Sequence, residues 1–198
     1  KVLKTAEVDI PINCPSCSTL LIWDSDFLMC PNIIDCPDQV TGKMIYFFRI
    51  LGNNDGFGQA TIKKLYDESI RQVSDIYLLN VDELVSMGFG EKTSQNLIDQ
   101  LDRSRKESIE DWRFLAAFGV QRLGMGNCEN LLKSYSIEKV FNLTVDEIAN
   151  IDGFAELTAK LIFDGLLSIK SQYEVLISGG FDLEKTLLID DNHANSNA

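Results

Sequence analysis

Four of the five cysteines fall within 23 residues, as Cys14-Pro15-Ser16-Cys17 followed by Cys30 and Cys36. Two cysteines with two residues between them, on a tight knuckle, can aim both thiolates at one metal ion. A second pair can close a tetrahedron around it. Four thiolates leave no open coordination position, so the site they form is structural rather than catalytic. Zinc is the expected ion and mononuclear iron the chemical runner-up. Two disulfides, or four unrelated thiols, are the other readings; disulfides suit a secreted protein, and nothing in the sequence marks secretion. Leu20-Leu21-Ile22-Trp23 and Phe27-Leu28-Met29 flank Asp24-Ser25-Asp26 and read as two short strands of a ribbon. A segment this short has little core and is expected to need its ion to fold. Cys128 stands apart in a helical pattern and is expected to be a small buried residue without chemistry.

Paired glycines carry a second kind of chemistry. Four segments align: Asp55-Gly56-Phe57-Gly58, Met87-Gly88-Phe89-Gly90, Leu123-Gly124-Met125-Gly126 and Asp152-Gly153-Phe154-Ala155. Their first glycines are 32, 36 and 29 residues apart. Each segment lies between two apolar-periodic stretches, so the repeating unit is helix, tight turn, helix. The turn needs glycine because the chain reverses within about three residues. The apolar residue between the glycines is expected to plug the space between the helices. Backbone N–H groups at the start of the second helix then form an anion site suited to phosphate. Such contacts read the backbone of a nucleic acid and not its sequence. Gly56, Gly58, Gly88, Gly90, Gly124 and Gly126 are the candidate phosphate contacts. The fourth unit, with Ala155 in an acidic setting, is expected to be structural.

The elements that position these turns are also legible. Asn80 with Glu83, and Thr144 with Glu147, have capping-box spacing and should start two short helices. The expected fold is mainly α: a small four-cysteine zinc ribbon followed by a bundle of four helix-hairpin-helix units. Residues 13–42 are expected to form the zinc finger and 43–182 the hairpin domain. Residues 1–12 are expected to end a preceding domain or linker, and 183–198 to be a flexible tail containing the single His193. No run of 18 apolar residues marks a membrane span.

The net charge of −12 argues against nucleic acid at first sight. Its distribution changes that. Residues 41–135 carry 12 basic and 13 acidic side chains, whereas 136–198 carry 4 and 11. Contact with an anion is therefore expected between residues 43 and 135, resting on backbone amides more than on a broad basic field. Abundant carboxylates without a His partner exclude a reading as a metal-dependent nuclease.

The ribbon followed by four hairpin units resembles the C-terminal half of bacterial NAD-dependent DNA ligases. Cys36-Pro37-Asp38-Gln39 is similar to the family's last zinc-ligand segment. Ile45-Tyr46-Phe47-Phe48-Arg49 stands where the family has His-Phe-x-x-Arg, with Ile45 and Tyr46 replacing the first two residues. Asp75-Ile76-Tyr77-Leu78-Leu79, Gly88-Phe89-Gly90-Glu91-Lys92-Thr93-Ser94-Gln95-Asn96-Leu97 and Phe114-Leu115-Ala116-Ala117-Phe118-Gly119-Val120-Gln121-Arg122-Leu123-Gly124 resemble its later linkers and hairpins. The likeness runs over about residues 12–182.

The resemblance implies a structural zinc on Cys14, Cys17, Cys30 and Cys36. It implies phosphate contacts by the three intact glycine turns on nicked double-stranded DNA. Lys63, Lys64, Lys92, Arg103, Arg105 and Arg122 are the nearest candidates for electrostatic support. It also implies ligase adenylation and oligonucleotide-binding (OB) barrel domains as partners in cis or trans, a role in replication and repair, and a bacterial or phage-infected cytoplasm. The family's Lys-x-Asp-Gly motif is absent, so NAD would act only through an adenylation domain outside these residues. The chain alone is expected not to seal a nick. The family's BRCT module does not fit within residues 183–198. The alternative is a stand-alone helix-hairpin-helix protein that binds DNA or another protein without ligase activity.

Overall fold

The computed structural model describes residues 10–189. The ribbon's hydrogen bonding begins at Ile12, whose carbonyl accepts from the Leu21 N–H, next to a bridge between Asn13 and Leu20. Strand β1 (Ile22–Asp24) pairs antiparallel with β2 (Phe27–Met29), with Trp23 opposite Leu28. Ser25 takes a left-handed φ of 54° to close the turn between them. Both strands lie where the apolar runs placed them, but β1 starts two residues later than the run at Leu20. Residues 1–9 lie outside the described residues, and with them most of the expected end of a preceding domain.

Helix α1 (Pro37–Leu51) begins directly on the last ligand candidate: Cys36 is its N-cap and Pro37 its first residue. Proline suits that position because the first turn leaves its N–H groups unpaired in any case. Gly52, at φ +73°, ends the helix and returns its N–H to the Phe48 carbonyl. The expected division after residue 42 therefore falls inside a continuous helix. Val40 already belongs to the main core, while Cys36 belongs to the cysteine cluster.

Nine more helices follow among the described residues: α2 (Gln59–Asp67), α3 (Val73–Ile76), α4 (Val81–Ser86), α5 (Glu91–Lys106), α6 (Asp111–Ala117), α7 (Met125–Ser134), α8 (Ile137–Val140), α9 (Val145–Ala149) and α10 (Glu156–Ser178). The four units are α1–α2, α4–α5, α6–α7 and α9–α10, joined by the single-turn helices α3 and α8. Both predicted capping boxes are present. Asn80 and Thr144 side chains accept from the N–H groups of Glu83 and Glu147, and each Glu accepts a bond from the cap's N–H in return. No helix among the described residues is long and apolar enough to cross a membrane.

One core runs through all four units. Phe47 sits at its centre, edge-on to Phe48, Tyr77, Phe114 and Phe118 at centroid distances of 5.3–6.5 Å. Phe57, the plug of the first turn, stacks on Phe48 at 4.3 Å. Ile162, Leu166, Ile169, Tyr173 and Leu176 form the buried stripe of α10, at the three-to-four spacing of an amphipathic helix.

The chain beyond α10 is held more firmly than a flexible tail from residue 183 implies. Strand β4 (Leu183–Glu184) pairs in parallel with β3 (Ile109–Glu110). Buried Asp111 accepts from Thr186 twice, from N–H at 3.1 Å and from Oγ1 at 2.6 Å, and the Ile189 N–H reaches the Lys133 carbonyl. Residues 190–198, including His193, lie outside the described residues. Asp111→Ala is expected to destabilise the fold by about 2 kcal/mol, because a charged acceptor is lost and two donors are stranded. Thermal melting gives the magnitude. Hydrogen exchange at the Thr186 amide locates the effect, and unchanged protection there would count against it.

Candidate metal centre and nucleic-acid interface

The four cysteine sulfurs lie within 4.8 Å of one another. Cys14 and Cys36 Sγ are 3.8 Å apart, and Cys17 and Cys30 Sγ 3.5 Å. A tetrahedron of thiolates about 2.3 Å from a zinc ion has edges of about 3.8 Å, so the donor set fits. None of the five cysteines is joined in a disulfide, and the spacing of the four clustered sulfurs suits a shared ion. The knuckle forms because Cys14 N–H donates to the Thr19 carbonyl while Ser18, at φ 60°, returns its N–H to Cys14. Hydrogen bonds from the Thr19 hydroxyl and backbone pull the Cys17 thiol down to about 6, whereas burial pushes Cys30 up to about 12. Cys128 is fully buried, its S–H donates to the Leu123 carbonyl, and burial raises its pKa well above the usual thiol range. That is the inert role expected of it.

The hairpins share one geometry, and it corrects the alignment of the third. Gly58, Gly90, Gly124 and Ala155 are the N-caps of α2, α5, α7 and α10, all in extended backbone. Two residues earlier, the chain takes a left-handed φ: +95° at Gly56, +82° at Gly88, +65° at Arg122 and +90° at Gly153. Gly124 therefore corresponds to the second glycine of the other units, not the first. Gly126 lies inside α7. The turn positions Gly56, Gly88, Arg122 and Gly153 are 32, 34 and 31 residues apart, more even than the spacing of the glycines in the sequence. The plug of the third unit is Leu123, 1% exposed, rather than Met125, 49% exposed. The misleading signal was glycine itself. The apolar residue before the N-cap, common to Phe57, Phe89, Leu123 and Phe154, was the better guide.

Glycine at the N-cap has no internal cause. A Cβ built on Gly58, Gly90 or Gly124 meets nothing within 4 Å, and Ala155 occupies the same place. Nor does any side chain cap α2, α5, α7 or α10. By contrast, α4 and α9, the first helices of their units, are capped by their own side chains. In the second and fourth units the uncapped N–H groups thus stand at the turns, whereas α1 and α6 also start without a side-chain cap.

The basic candidates separate by what they touch. Lys63 pairs with Asp67 at 3.2 Å. Lys64 donates to the Gly88 carbonyl at 2.5 Å, with Nζ 4.3 Å from the Phe89 ring centre, and so braces the second turn. Arg103 donates to the Asn53 carbonyl and to Gln100. Arg105 donates to the Tyr77 carbonyl and pairs with Asp102. Lys92 and Arg122 enter no hydrogen bond or ion pair through their side chains among the described residues.

Comparison with known proteins bears on this architecture. A family model described as "SAM-like Helix-hairpin-helix tandem" matches residues 48–103, from the end of α1 into α5. The DNA ligase of Ruthia magnifica subsp. Calyptogena magnifica is 60% identical over 190 residues, 96% of this chain and 31% of the ligase. That of Vesicomyosocius okutanii subsp. Calyptogena okutanii (strain HA) is 58% identical over the same length, 96% and 30%. The DNA ligase of Clostridium tetani (strain Massachusetts / E88) is 26% identical over 164 residues, 81% and 24%. The chain spans less than a third of the length of each. With its four-cysteine cluster, small strand hairpin and helix-hairpin-helix tandem, the chain is homologous to the C-terminal region of bacterial DNA ligases.

Proposed function

We propose that the chain is the DNA-binding portion of an NAD-dependent DNA ligase, and that it grips nicked duplex DNA through backbone phosphates during replication and repair in the bacterial cytoplasm. One observation carries the reading: the second helix of each hairpin starts uncapped, behind an N-cap that in three units is a glycine with open space around it. Helix N-termini with free N–H groups bind phosphate, and glycine lets the phosphate approach. Gly56, Gly58, Gly88, Gly90 and Gly124 line those turns, with Gly126 in the first turn of α7, and the fourth unit is structural. Zinc on Cys14, Cys17, Cys30 and Cys36 shapes the ribbon. NAD chemistry belongs to an adenylation domain, since the sequence holds no Lys-x-Asp-Gly motif.

A titration against labelled nicked duplex at rising salt tests this. Binding at low salt that weakens steeply as salt rises supports it; no binding at low salt overturns it. Lys92→Glu, in the first turn of α5, is expected to weaken binding about tenfold and equally for all sequences. An effect confined to some sequences would contradict backbone reading.

A second reading, a protein-interaction module, is favoured by the ribbon surface. Trp23 and Phe27 are 59% and 76% exposed on the two faces of the hairpin, and Ile12, Leu20 and Ile34 are exposed as well; exposed apolar side chains in this number suit a protein partner. Within the ligase reading that partner is the OB domain.

A further inference from the structure

The third hairpin differs from its siblings where a phosphate would meet it. Arg122 holds the left-handed position that the other three units give to glycine, a conformation unfavourable for any residue with a Cβ. Such a residue persists where its surroundings hold it in place. Here Asn127 Nδ2 donates to the Arg122 carbonyl at 2.7 Å, Leu123 is buried, and the Leu123 N–H is bonded to the Val120 carbonyl. The backbone is anchored on both sides, while the side chain is exposed and meets no partner among the described residues.

Charge points the same way. Over the seven residues from the one before the left-handed position to the third of the following helix, Asp55 alone leaves the first hairpin at −1, and Glu91 cancels Lys92 in the second. Arg122 alone makes the third +1, and Asp152 with Glu156 make the fourth −2. Of the four turns, only the third presents a net positive charge beside uncapped N–H groups.

We infer that Arg122 is a direct phosphate ligand and the third hairpin the principal electrostatic anchor on DNA, granted the DNA-binding reading. The side chain sits in an unfavourable conformation without an intramolecular partner among the described residues, and a planar guanidinium takes phosphate oxygens two at a time. Lys64, by contrast, is held on the second turn, so the cations flanking the first two turns are mostly engaged inside the protein.

The test is Arg122→Gly in the full chain, compared with the parent and with Arg122→Lys. Affinity for nicked duplex at low salt and the melting temperature are both measured. Arg122→Gly is expected to weaken binding about tenfold and to reduce the slope of log affinity against log salt by about 1. At the same time it should raise the melting temperature by about 2 °C, because the left-handed position is relieved. Arg122→Lys should retain most of the affinity. Parental affinity in Arg122→Gly overturns the inference while leaving the DNA-binding reading in place. So does weaker binding accompanied by a lower melting temperature, which is the signature of a structural role. A parent chain that fails to bind at all defeats both.

Discussion

Cys36→Ser is expected to abolish zinc binding and unfold the ribbon up to residue 35, while the helices from α1 onward stay folded. The ribbon's own buried set is Cys14, Cys30 and Cys36, with Cys17 and Leu21 packed against them. Its larger apolar side chains, Leu20, Ile22, Trp23 and Phe27, face outward. Two three-residue strands make a hairpin far too small to stand alone in water. Structural zinc sites contribute about 10–16 kcal/mol of apparent binding energy, which makes the ion the main source of the ribbon's order. Helix α1 survives because Val40, Met44, Phe47, Phe48 and Leu51 are buried in the main core. A zinc assay should fall from one equivalent to none. Amide protection should vanish between residues 12 and 35 and persist in α1 and α6. A metal-free ribbon with unchanged protection would sink the assignment. Acid should act like the substitution. Metal binding needs thiolates, so the ion and its stabilisation are retained at neutral pH and lost as pH falls and protons compete for the sulfurs.

Gly165→Ala is expected to destabilise the helical domain by up to about 2 kcal/mol, although alanine is the better helix former. A Cβ on Gly165 would lie 2.3 Å from Val120 Cγ1. Val120 is buried just before the third turn, and its Cβ and Cγ2 are also within 3.5 Å. Neither side can yield cheaply. Gly165 stands within the 23-residue helix α10, and Val120 is short, branched and stiff. Overpacking of this kind costs about 1–3 kcal/mol, of which about 1 kcal/mol is recovered as a gain in helix propensity. Denaturant melts of the two single variants and of Gly165→Ala combined with Val120→Ala separate the two effects. The double variant should be more stable than the sum of the two single losses allows. Strict additivity would mean that the close approach of α10 to the third turn is not the cause.

The metal site was readable from spacing, because two knuckle cysteines and a later pair carry their geometry with them. The capping boxes Asn80–Glu83 and Thr144–Glu147 were readable for the same reason: donor and acceptor are three residues apart, and the helix itself brings them together. The existence of four helix-turn-helix units followed from repetition. Glycine does not mark the third turn, because what recurs is a left-handed residue, here Arg122, followed by an apolar plug.

The fate of the basic side chains was not readable at all. Lys64 meets a carbonyl 24 residues away and Arg103 one 50 residues away, so packing alone decides that they are engaged while Lys92 and Arg122 meet no partner among the described residues. Asp111 meets Thr186 across 75 residues, turning an expected flexible segment into a bound strand. The sequence by itself therefore determined the local motifs, meaning four thiols, four turns and two self-capped helices, because those depend on near neighbours along the chain. Tertiary structure decided which turn carries its own positive charge, which cations remain available, and where helices approach too closely for a single methyl. Each of these depends on segments brought together only by burying a common core.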